Sequence, residues 1–273
     1  NIQIIRSEDA WYCGFCAFIF SKILLRKILL VGVWGNPDTF REISKRPMMP
    51  KLYKFIWIEK FFETFVLKRA DKILVQNHDN LSFVLKKGIT QRKTEIFKLG
   101  NIINASHFID PKQREFNIID KDINYLINSN NKIILCISRL EKMKLSDHFI
   151  YLCSELKKNN VSFKALYVGD GSMRENLKVL AKQYDLKKEI LFCGNQNQEW
   201  ISELLPYTDV VVSFITGRAL VEASLGGVPI VAYDIEWQKE LIENNITGLL
   251  VKAYDYGNMA NKIEYLFNNK NIA

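Results

Sequence analysis

The stretch F-I-T-G-R-A-L-V-E-A-S-L-G-G-V-P-I-V-A-Y-D, residues 214–234, joins a polar turn, a short helical run, two glycines and an apolar strand. Arg218 and Glu222 are one helical turn apart, and Gly226 and Gly227 follow where that helix would end. Val-Pro-Ile-Val-Ala then predicts a buried strand of a parallel sheet. Such a turn before a helix can hold an anion. The alternative is a junction with a structural role only.

The same alternation of short apolar strands and amphipathic helices runs along most of the chain, which predicts an α/β protein. Strands are predicted at 2–5, 28–33, 72–76, 95–98, 132–137, 163–168, 190–193, 210–213 and 229–233. Helices are predicted at 11–25, 51–69, 78–87, 146–158, 172–184, 197–205 and 219–225. A polar, Asn/Asp-rich segment interrupts the pattern. We therefore predict a partial Rossmann-like domain at 1–105, a linker at 106–131 and a second Rossmann-like domain at 132–273.

Composition and charge limit the kinds of partner that the chain can bind. The 273 residues include 38 Lys and Arg against 30 Asp and Glu, a net charge of +8. This excess suits phosphate-bearing small molecules or an acidic membrane surface, but it does not form the basic stripe of a nucleic-acid binder. Five cysteines without a disulfide pattern favour the cytoplasm. Charged residues interrupt the apolar region at 11–34, so no transmembrane helix is predicted.

Two cations follow the strand predicted at 132–137. Arg139 and Lys144 lie at its carboxyl end, where they could hold a diphosphate from two sides. The alternative is a solvated loop, because Lys and Arg are mostly surface residues. The Gly-Asp-Gly at 169–171 follows the next strand, and its backbone could approach a ligand, although this tripeptide is also common in plain turns.

The turn at 216–218 precedes the helix predicted at 219–225, whose first N–H groups would have no partner within the helix. Glu222 lies one turn into that helix, where its carboxylate could accept two hydrogen bonds from ribose hydroxyls. The alternative is a glutamate that faces solvent.

In their order along the chain, these segments resemble the retaining GT-B glycosyltransferases of family 4, which share a glycosyltransferase group 1 domain. The resemblance covers residues 132 to about 267. The matching segments are I-S-R-L-E-K-M-K (137–144), Y-V-G-D-G-S-M-R-E-N-L (167–177), residues 191–214, A-L-V-E-A-S-L-G-G-V-P-I-V-A-Y-D (219–234) and N-N-I-T-G-L-L-V (244–251). The resemblance implies two Rossmann-like domains whose parallel sheets face each other across a cleft, and a nucleotide sugar bound by the second.

The resemblance also implies roles for single residues. Arg139 and Lys144 would be the catalytic cations that hold the donor's diphosphate, Glu222 would hold the ribose, and the loop 194–196 would lie against the nucleobase, uracil or guanine. The implied donor-binding residues are Gly169, Asp170, Gly194, Asn195, Thr216, Gly217, Arg218, Ala219, Leu220 and Glu222. No metal and no cofactor are expected, because fixed cations can stabilise the leaving diphosphate.

Two departures from the family pattern bear on the substrates. Phe214 stands where the family has a glutamate that touches the donor sugar. The sequence therefore does not indicate which sugar the donor carries. Arg218 could face the diphosphate, a carboxylated sugar or solvent. In K-I-L-L-V-G-V-W-G-N-P-D-T-F (27–40), Trp34 takes the place of a histidine that many members have, and Asp38 follows. Trp34 and Asp38 are therefore the acceptor-side candidates.

Residues 68–88 resemble the family's segment before the interdomain linker. Against the family pattern, the first strands and the Gly-rich acceptor loop of the first domain lie outside this chain. We therefore expect a chain truncated at its N-terminus and slightly at its C-terminus.

The sequence predicts a metal-independent enzyme that transfers a sugar, with retention, from a nucleoside-diphosphate sugar to a glycan or lipid-linked acceptor in polysaccharide or cell-surface glycan synthesis. The alternatives are a GT-B nucleotide-sugar epimerase and a non-catalytic nucleotide-sugar-binding protein. The aromatic, Lys-rich segment 51–69 predicts peripheral contact with the inner face of a membrane, or else a core helix with lysines at its edges. No nucleic acid is expected as a partner.

Overall fold

The computed structural model describes residues 2–97, 103–110, 113, 121–128 and 131–269. It divides into two compact units, residues 1–100 and 101–273. Each unit contains its own β-sheet, and every strand pair in both sheets is parallel. The predicted α/β class is therefore confirmed.

The first unit contains a four-stranded sheet in sequential order. Its strands are β1 (Ile4–Ser7), β2 (Ile28–Val33), β3 (Lys72–Val75) and β4 (Thr94–Ile96). Alternate residues of the central strands, such as Val31 and Ile73, are fully buried in one core with Val66 and Leu67. This alternation follows from the two-residue period of a strand.

The helices of the first unit are α1 (Tyr12–Phe18), α2 (Pro37–Ser44), α3 (Ile56–Arg69) and α4 (His78–Lys86). A π-helical segment continues α1 from Ile19 to Leu24. Most of the range 11–25, which was predicted as one helix, is therefore helical in the structure. Helix α3 begins five residues later than predicted. Helix α2 was not predicted, although Asn36 and Pro37 form a good start: the Asn36 side chain accepts the Asp38 N–H at 3.2 Å.

The second unit contains a six-stranded sheet in the order β10-β9-β8-β5-β6-β7. Its strands are β5 (Lys132–Ile137), β6 (Phe163–Val168), β7 (Ile190–Gly194), β8 (Val210–Ser213), β9 (Ile230–Tyr233) and β10 (Leu249–Val251). Its helices are α5 (Lys121–Ile127), α6 (Ser146–Lys158), α7 (Arg174–Gln183), α8 (Gln198–Leu204), α9 (Arg218–Leu225), α10 (Gln238–Leu241) and α11 (Tyr256–Asn268). The predicted bounds of β5, β6, β8 and α6 agree with the structure.

Part of the segment predicted as a linker belongs to the core of the second unit. Residues 121–127 form α5, and Ile123 and Leu126 pack with Ile133 in that core. Residues 111–112, 114–120 and 129–130 of the predicted linker lie outside the described residues. Throughout the described ranges, no helix has both the length and the apolar character that crossing a bilayer requires.

Candidate functional site

A cleft of about 360 Å³ lies in the second unit, where the parallel strands end. The loops after β5, β6, β7 and β8 and the first turns of α9 form its walls, which is where open parallel sheets bind ligands. Most of the predicted site residues line it: Arg139, Lys144, Gly169, Asn195, Gly217, Arg218, Ala219, Leu220 and Glu222. Gln196, the last residue of the loop predicted to lie against the nucleobase, also lines it, as does Ser138, which was not predicted.

Three predicted residues support the cleft rather than line it. Asp170 accepts the Gly171 N–H at 2.7 Å and pairs with Arg174 at 2.6 Å, so its carboxylate orders the turn before α7. Gly194 ends β7 in a left-handed conformation, φ +69°. The Thr216 side chain is buried and turned toward Glu236.

Lys144 and Arg139 form the cationic part of the cleft. Arg139 is exposed, whereas Lys144 is partly buried and donates a 2.9 Å hydrogen bond to the Thr216 carbonyl. Burial lowers the pKa of Lys144; the Glu236 carboxylate acts against this shift, and the Arg139 charge adds to it. Both cations line the cleft, and an anion bound to both would relieve their repulsion.

The glycines of Gly-Asp-Gly bring two loops together. Gly169 has φ +137°, and a Cβ there would lie 1.9 Å from the Ser138 carbonyl oxygen. A Cβ at Gly171 would lie 2.5 Å from the Leu140 carbonyl oxygen. Gly169 lines the cleft, so the approach of a ligand to its backbone stays a prediction, and both glycines also permit close contact with the loop that carries Arg139.

The N-terminus of α9 opens toward the cleft. Gly217 precedes the helix in an extended conformation, φ −172°, and it has no side chain to cap the first N–H groups. These N–H groups carry the positive end of the helix dipole. Together with Lys144 they make this wall suitable for a phosphate group.

Glu222 is buried one turn into α9. Its Oε1 lies 2.9 Å from Arg218 Nε, but within the described part of the chain this oxygen accepts no well-aligned hydrogen bond. Burial raises the pKa of Glu222, and Arg218 opposes that shift. A buried carboxylate oxygen beside a cleft is well placed to accept a ligand hydroxyl, because it is costly to leave unsatisfied.

Phe214 does not line the cleft. It is buried and packs edge-to-face on Tyr233, with ring centroids 5.2 Å apart, and its other neighbours include His148. His148 Nδ1 lies 2.9 Å from the Tyr233 hydroxyl. The residue in the place of the family glutamate therefore belongs to an aromatic core, and the carboxylate near this end of the cleft is that of Glu236, which the sequence did not reveal.

The two acceptor-side candidates of the first unit, Trp34 and Asp38, have different surroundings. Trp34 lines an apolar pocket of about 270 Å³ with Trp11 and Phe83, and its Nε1 donates to Glu8. Asp38 does not line this pocket. Burial tends to raise the pKa of Asp38, but hydrogen bonds from Lys60 and Lys87 outweigh burial and lower it to about 2.

Asp38 lies at the exposed edge of an otherwise mostly buried ion cluster, which we define as Asp38, Arg41, Glu59, Glu63 and Lys87. Arg41 reaches Glu59 at 3.1 Å and Glu63 at 2.6 Å, and both glutamates are fully buried. Glu59 also accepts the backbone N–H groups of Met48 and Met49, each at 3.0 Å. Asp38 thus has a structural role that the sequence did not predict.

The chain is similar to curated glycosyltransferases. It is 25% identical to the poly(ribitol-phosphate) alpha-N-acetylglucosaminyltransferase of Staphylococcus aureus, over 94% of this chain and 52% of that enzyme. It is 25% identical to the N-acetyl-alpha-D-glucosaminyl L-malate synthase of Bacillus anthracis, over the whole of this chain and 67% of that enzyme. The chain therefore spans about half of the first relative's length and two thirds of the second's.

Solved structures share the fold. Anabaena HepE in complex with UDP superposes with a TM-score of 0.75 at 19% identity, over 99% of this chain and 70% of HepE. Sucrose-phosphate synthase of Thermosynechococcus elongatus gives a TM-score of 0.77 at 17% identity, over 99% and 65%. These matches confirm the GT-B fold that the family resemblance implied. The family model described as glycosyl transferases group 1 matches residues 118–273, more than half of the chain, so the chain belongs to this glycosyltransferase family.

Proposed function

We propose that this protein transfers a sugar from a nucleoside-diphosphate sugar to a glycan or lipid-linked acceptor, with retention at the anomeric carbon, in the synthesis of a cell-surface polysaccharide. One observation carries the proposal. Arg139, Lys144 and the uncapped N-terminus of α9 face one cleft, and Glu222 is buried in the same wall. Retention rests on the family resemblance alone.

The two cations can stabilise the leaving group of the transfer reaction. When the bond between the anomeric carbon and the diphosphate oxygen breaks, negative charge grows on the diphosphate. Arg139 and Lys144 are placed to hold that charge, and Lys144 does so partly shielded from water, where an ion pair is stronger. The first N–H groups of α9 add donors that need no reorganisation during the reaction.

Other residues of the same cleft suit the nucleoside. The Glu222 carboxylate can accept hydrogen bonds from ribose hydroxyls, and its Oε1, which is paired with Arg218, would gain the well-aligned hydrogen bond that it lacks among the described residues. The loop after β7 offers Asn195 and Gln196 to the base, and a 2.8 Å hydrogen bond from Gln196 Nε2 to the Cys193 carbonyl steadies it. HepE has been solved with UDP and with UDP-glucose, which makes UDP the first nucleotide to test.

The relatives indicate the acceptor class. The Staphylococcus aureus relative is named for a poly(ribitol-phosphate) acceptor, and others are named for colanic acid and amylovoran biosynthesis. We propose a surface glycan or its lipid-linked precursor as the acceptor here, close to the apolar pocket at Trp34.

We further propose that the first unit contacts an anionic membrane surface through α3 and the preceding loop. Helix α3 buries carboxylates and exposes aromatic rings, the reverse of the usual distribution. Glu59 and Glu63 are buried, while Trp57 is 69% exposed and Phe61 is 62% exposed. Lys54 and Lys60 lie beside the aromatic rings in an open groove. Exposed aromatic rings flanked by lysines suit the interface of an acidic bilayer. A lipid-linked acceptor would be met at that surface.

Calorimetric titration of the full chain with uridine, guanosine, UDP, GDP and the sugar esters of the two diphosphates, together with an assay for free sugar, tests the central proposal. We expect one diphosphate to bind at least tenfold more tightly than its nucleoside, and slow release of free sugar from the ester that binds. Tight binding without sugar release would indicate the non-catalytic alternative. The absence of binding by any of these nucleotides would contradict the proposal.

A further inference from the structure

The turn after β9 places a carboxylate beside the donor cleft. Because β8 and β9 are adjacent and parallel, with Ser213 beside Ala232, their carboxyl ends meet at one edge. Thr216 lies three residues after β8 and Glu236 three residues after β9. The Thr216 hydroxyl donates a 2.6 Å hydrogen bond to Glu236 Oε2. The two loops are thus joined at the end of the cleft where Lys144 lies.

Thr216 connects Glu236 to the cationic wall. Its carbonyl accepts the Lys144 ammonium at 2.9 Å, while its hydroxyl is held by Glu236. Ile215 and Gly217 on either side of it both line the cleft. Glu236 is only 9% exposed, so its charge is poorly screened by water and acts on Lys144 and on any group bound beside it.

The backbone at Glu236 is unusual for this residue type. Its φ is +54°, the left-handed region in which a side chain is disfavoured. Glycine would fit this position with less strain. Strained conformations of this kind are concentrated at binding sites, and here the conformation accompanies a side chain directed to Thr216.

Among the described residues that line the donor cleft, the acid is Glu222; Glu236 does not line the cleft but contacts Thr216, whose neighbours Ile215 and Gly217 do. Phe214, at the end of β8, is packed in the aromatic core, and Glu222 is paired with Arg218 on α9. The donor sugar is attached to the diphosphate. It would therefore lie next to the diphosphate that Lys144 holds. Thr216 joins the Glu236 carboxylate to this end of the cleft, because its hydroxyl donates to Glu236 and its carbonyl accepts the Lys144 ammonium.

We infer that Glu236 is a specificity-determining residue of the donor site, which holds Thr216 and Lys144 and selects a donor whose sugar carries no negative charge. This inference rests on the proposed function. A neutral sugar can donate hydroxyl hydrogen bonds toward a carboxylate, whereas a uronic acid would place a second carboxylate near Glu236. Arg218, the cation that could have met a carboxylated sugar, is instead engaged by Glu222.

The test compares three ligands on the full chain by calorimetry: UDP, UDP-glucose and UDP-glucuronate, with GDP, GDP-mannose and GDP-mannuronate in parallel. We expect the unmodified chain to prefer the neutral sugar ester over the uronate by at least tenfold. Glu236→Gln should reduce that preference, which is the ratio of the affinities for the neutral ester and the uronate, at least fivefold; the affinity for the plain diphosphate is measured beside it, because Lys144 also contacts Thr216. Glu243→Gln, at an exposed glutamate seven residues further on, is the matched control and should keep the preference.

Glu236→Gly is the second variant, because glycine accepts the left-handed backbone and removes the carboxylate. It should lose the preference as Glu236→Gln does. An unchanged preference in both variants, or an equal loss of affinity for all ligands including the plain diphosphate, would overturn the inference and leave the proposed function intact. A chain that binds neither UDP nor GDP would overturn the proposed function, and the inference with it.

Discussion

Arg218 Nε lies 2.9 Å from Glu222 Oε1, so the cation at the start of α9 is paired with the buried carboxylate one turn further on. Arg218 is half exposed while Glu222 is buried, so the pair connects the surface of the cleft with its wall. In the free protein this contact partly compensates a charge that is otherwise costly to bury. A bound ribose would offer Glu222 a second set of partners.

Glu222→Gln should separate binding from stability. The raised pKa of Glu222 means that its contribution to folding is fully present below its unfolded pKa, about 4.3, and is lost as pH rises through the higher folded pKa. At pH 7 the amide should therefore unfold with a free energy equal to or above that of the unmodified chain. Affinity for UDP or GDP should fall by ~1.5–3 kcal/mol, because a charge-assisted acceptor for ribose is lost.

Calorimetry and urea unfolding check the two expectations for Glu222→Gln, and Glu175→Gln on the exposed face of α7 is the control. If the variant bound the nucleotide as tightly as the unmodified chain does, the assignment of Glu222 to nucleotide binding would be wrong.

Arg139→Ala and Lys144→Ala should each weaken diphosphate binding by ~1.5–3 kcal/mol, with little effect on the free nucleoside, because each removes a charge-assisted contact to phosphate. Because burial lowers the pKa of Lys144, the ammonium is lost at lower pH than a free lysine would lose it. Affinity for the diphosphate should therefore decline on the alkaline side, and Lys144→Ala should flatten that decline.

Lys142 lies exposed on the same short turn and provides the matched control. Lys142→Ala should bind the diphosphate as the unmodified chain does. If Lys144→Ala were no weaker than this control, the assignment of Lys144 to the diphosphate would be wrong.

Gly169→Ala should destabilise the second unit by at least ~2 kcal/mol, because the new Cβ combines a left-handed backbone with a clash against Ser138. Gly217→Ala is the comparison for stability, since no atom lies within 4 Å of a Cβ there and its φ is −172°. Thermal unfolding of both variants measures the difference. Equal melting temperatures would mean that the two loops are not held as closely as the structure shows.

The sequence predicted the second unit better than the first. Runs such as Val210–Ser213 are short, β-branched and buried on both faces, so their bounds are well defined. The segment 51–69 mixes aromatic rings, lysines and carboxylates at all positions, so its spacing could not show which face is buried. That outcome depends on Arg41, which reaches Glu59 and Glu63 from α2.

The candidate site divides in the same way. The cleft-lining residues of α9 follow one another in sequence, so the stretch 214–222 predicted them as a group. Glu236 comes from a different turn, and only the pairing of β8 with β9 brings it to Thr216. Single-sequence reasoning has no signal for a left-handed backbone at a glutamate.

Arg41→Met should destabilise the first unit by ~3–5 kcal/mol, because it leaves the buried carboxylates of Glu59 and Glu63 without their main counter-charge. Arg46→Met, at an exposed arginine nearby, is the control and should change the unfolding free energy by less than ~0.5 kcal/mol. Urea unfolding at pH 7 measures both variants; a loss for Arg41→Met no larger than that for Arg46→Met would contradict the charge explanation.

Trp57→Ala with Phe61→Ala should abolish binding to vesicles that contain an anionic phospholipid and leave the fold intact. Both rings are mainly exposed, so their removal takes little from the core, whereas each would bury its apolar area in the bilayer interface. Tyr125→Ala removes a ring that is equally exposed on the second unit and serves as the control. Co-sedimentation with neutral and anionic vesicles checks the expectation, and added salt should weaken the binding because lysines contribute to it. Binding that persists in the double variant, or that is equal on neutral vesicles, would show that α3 is not the membrane contact.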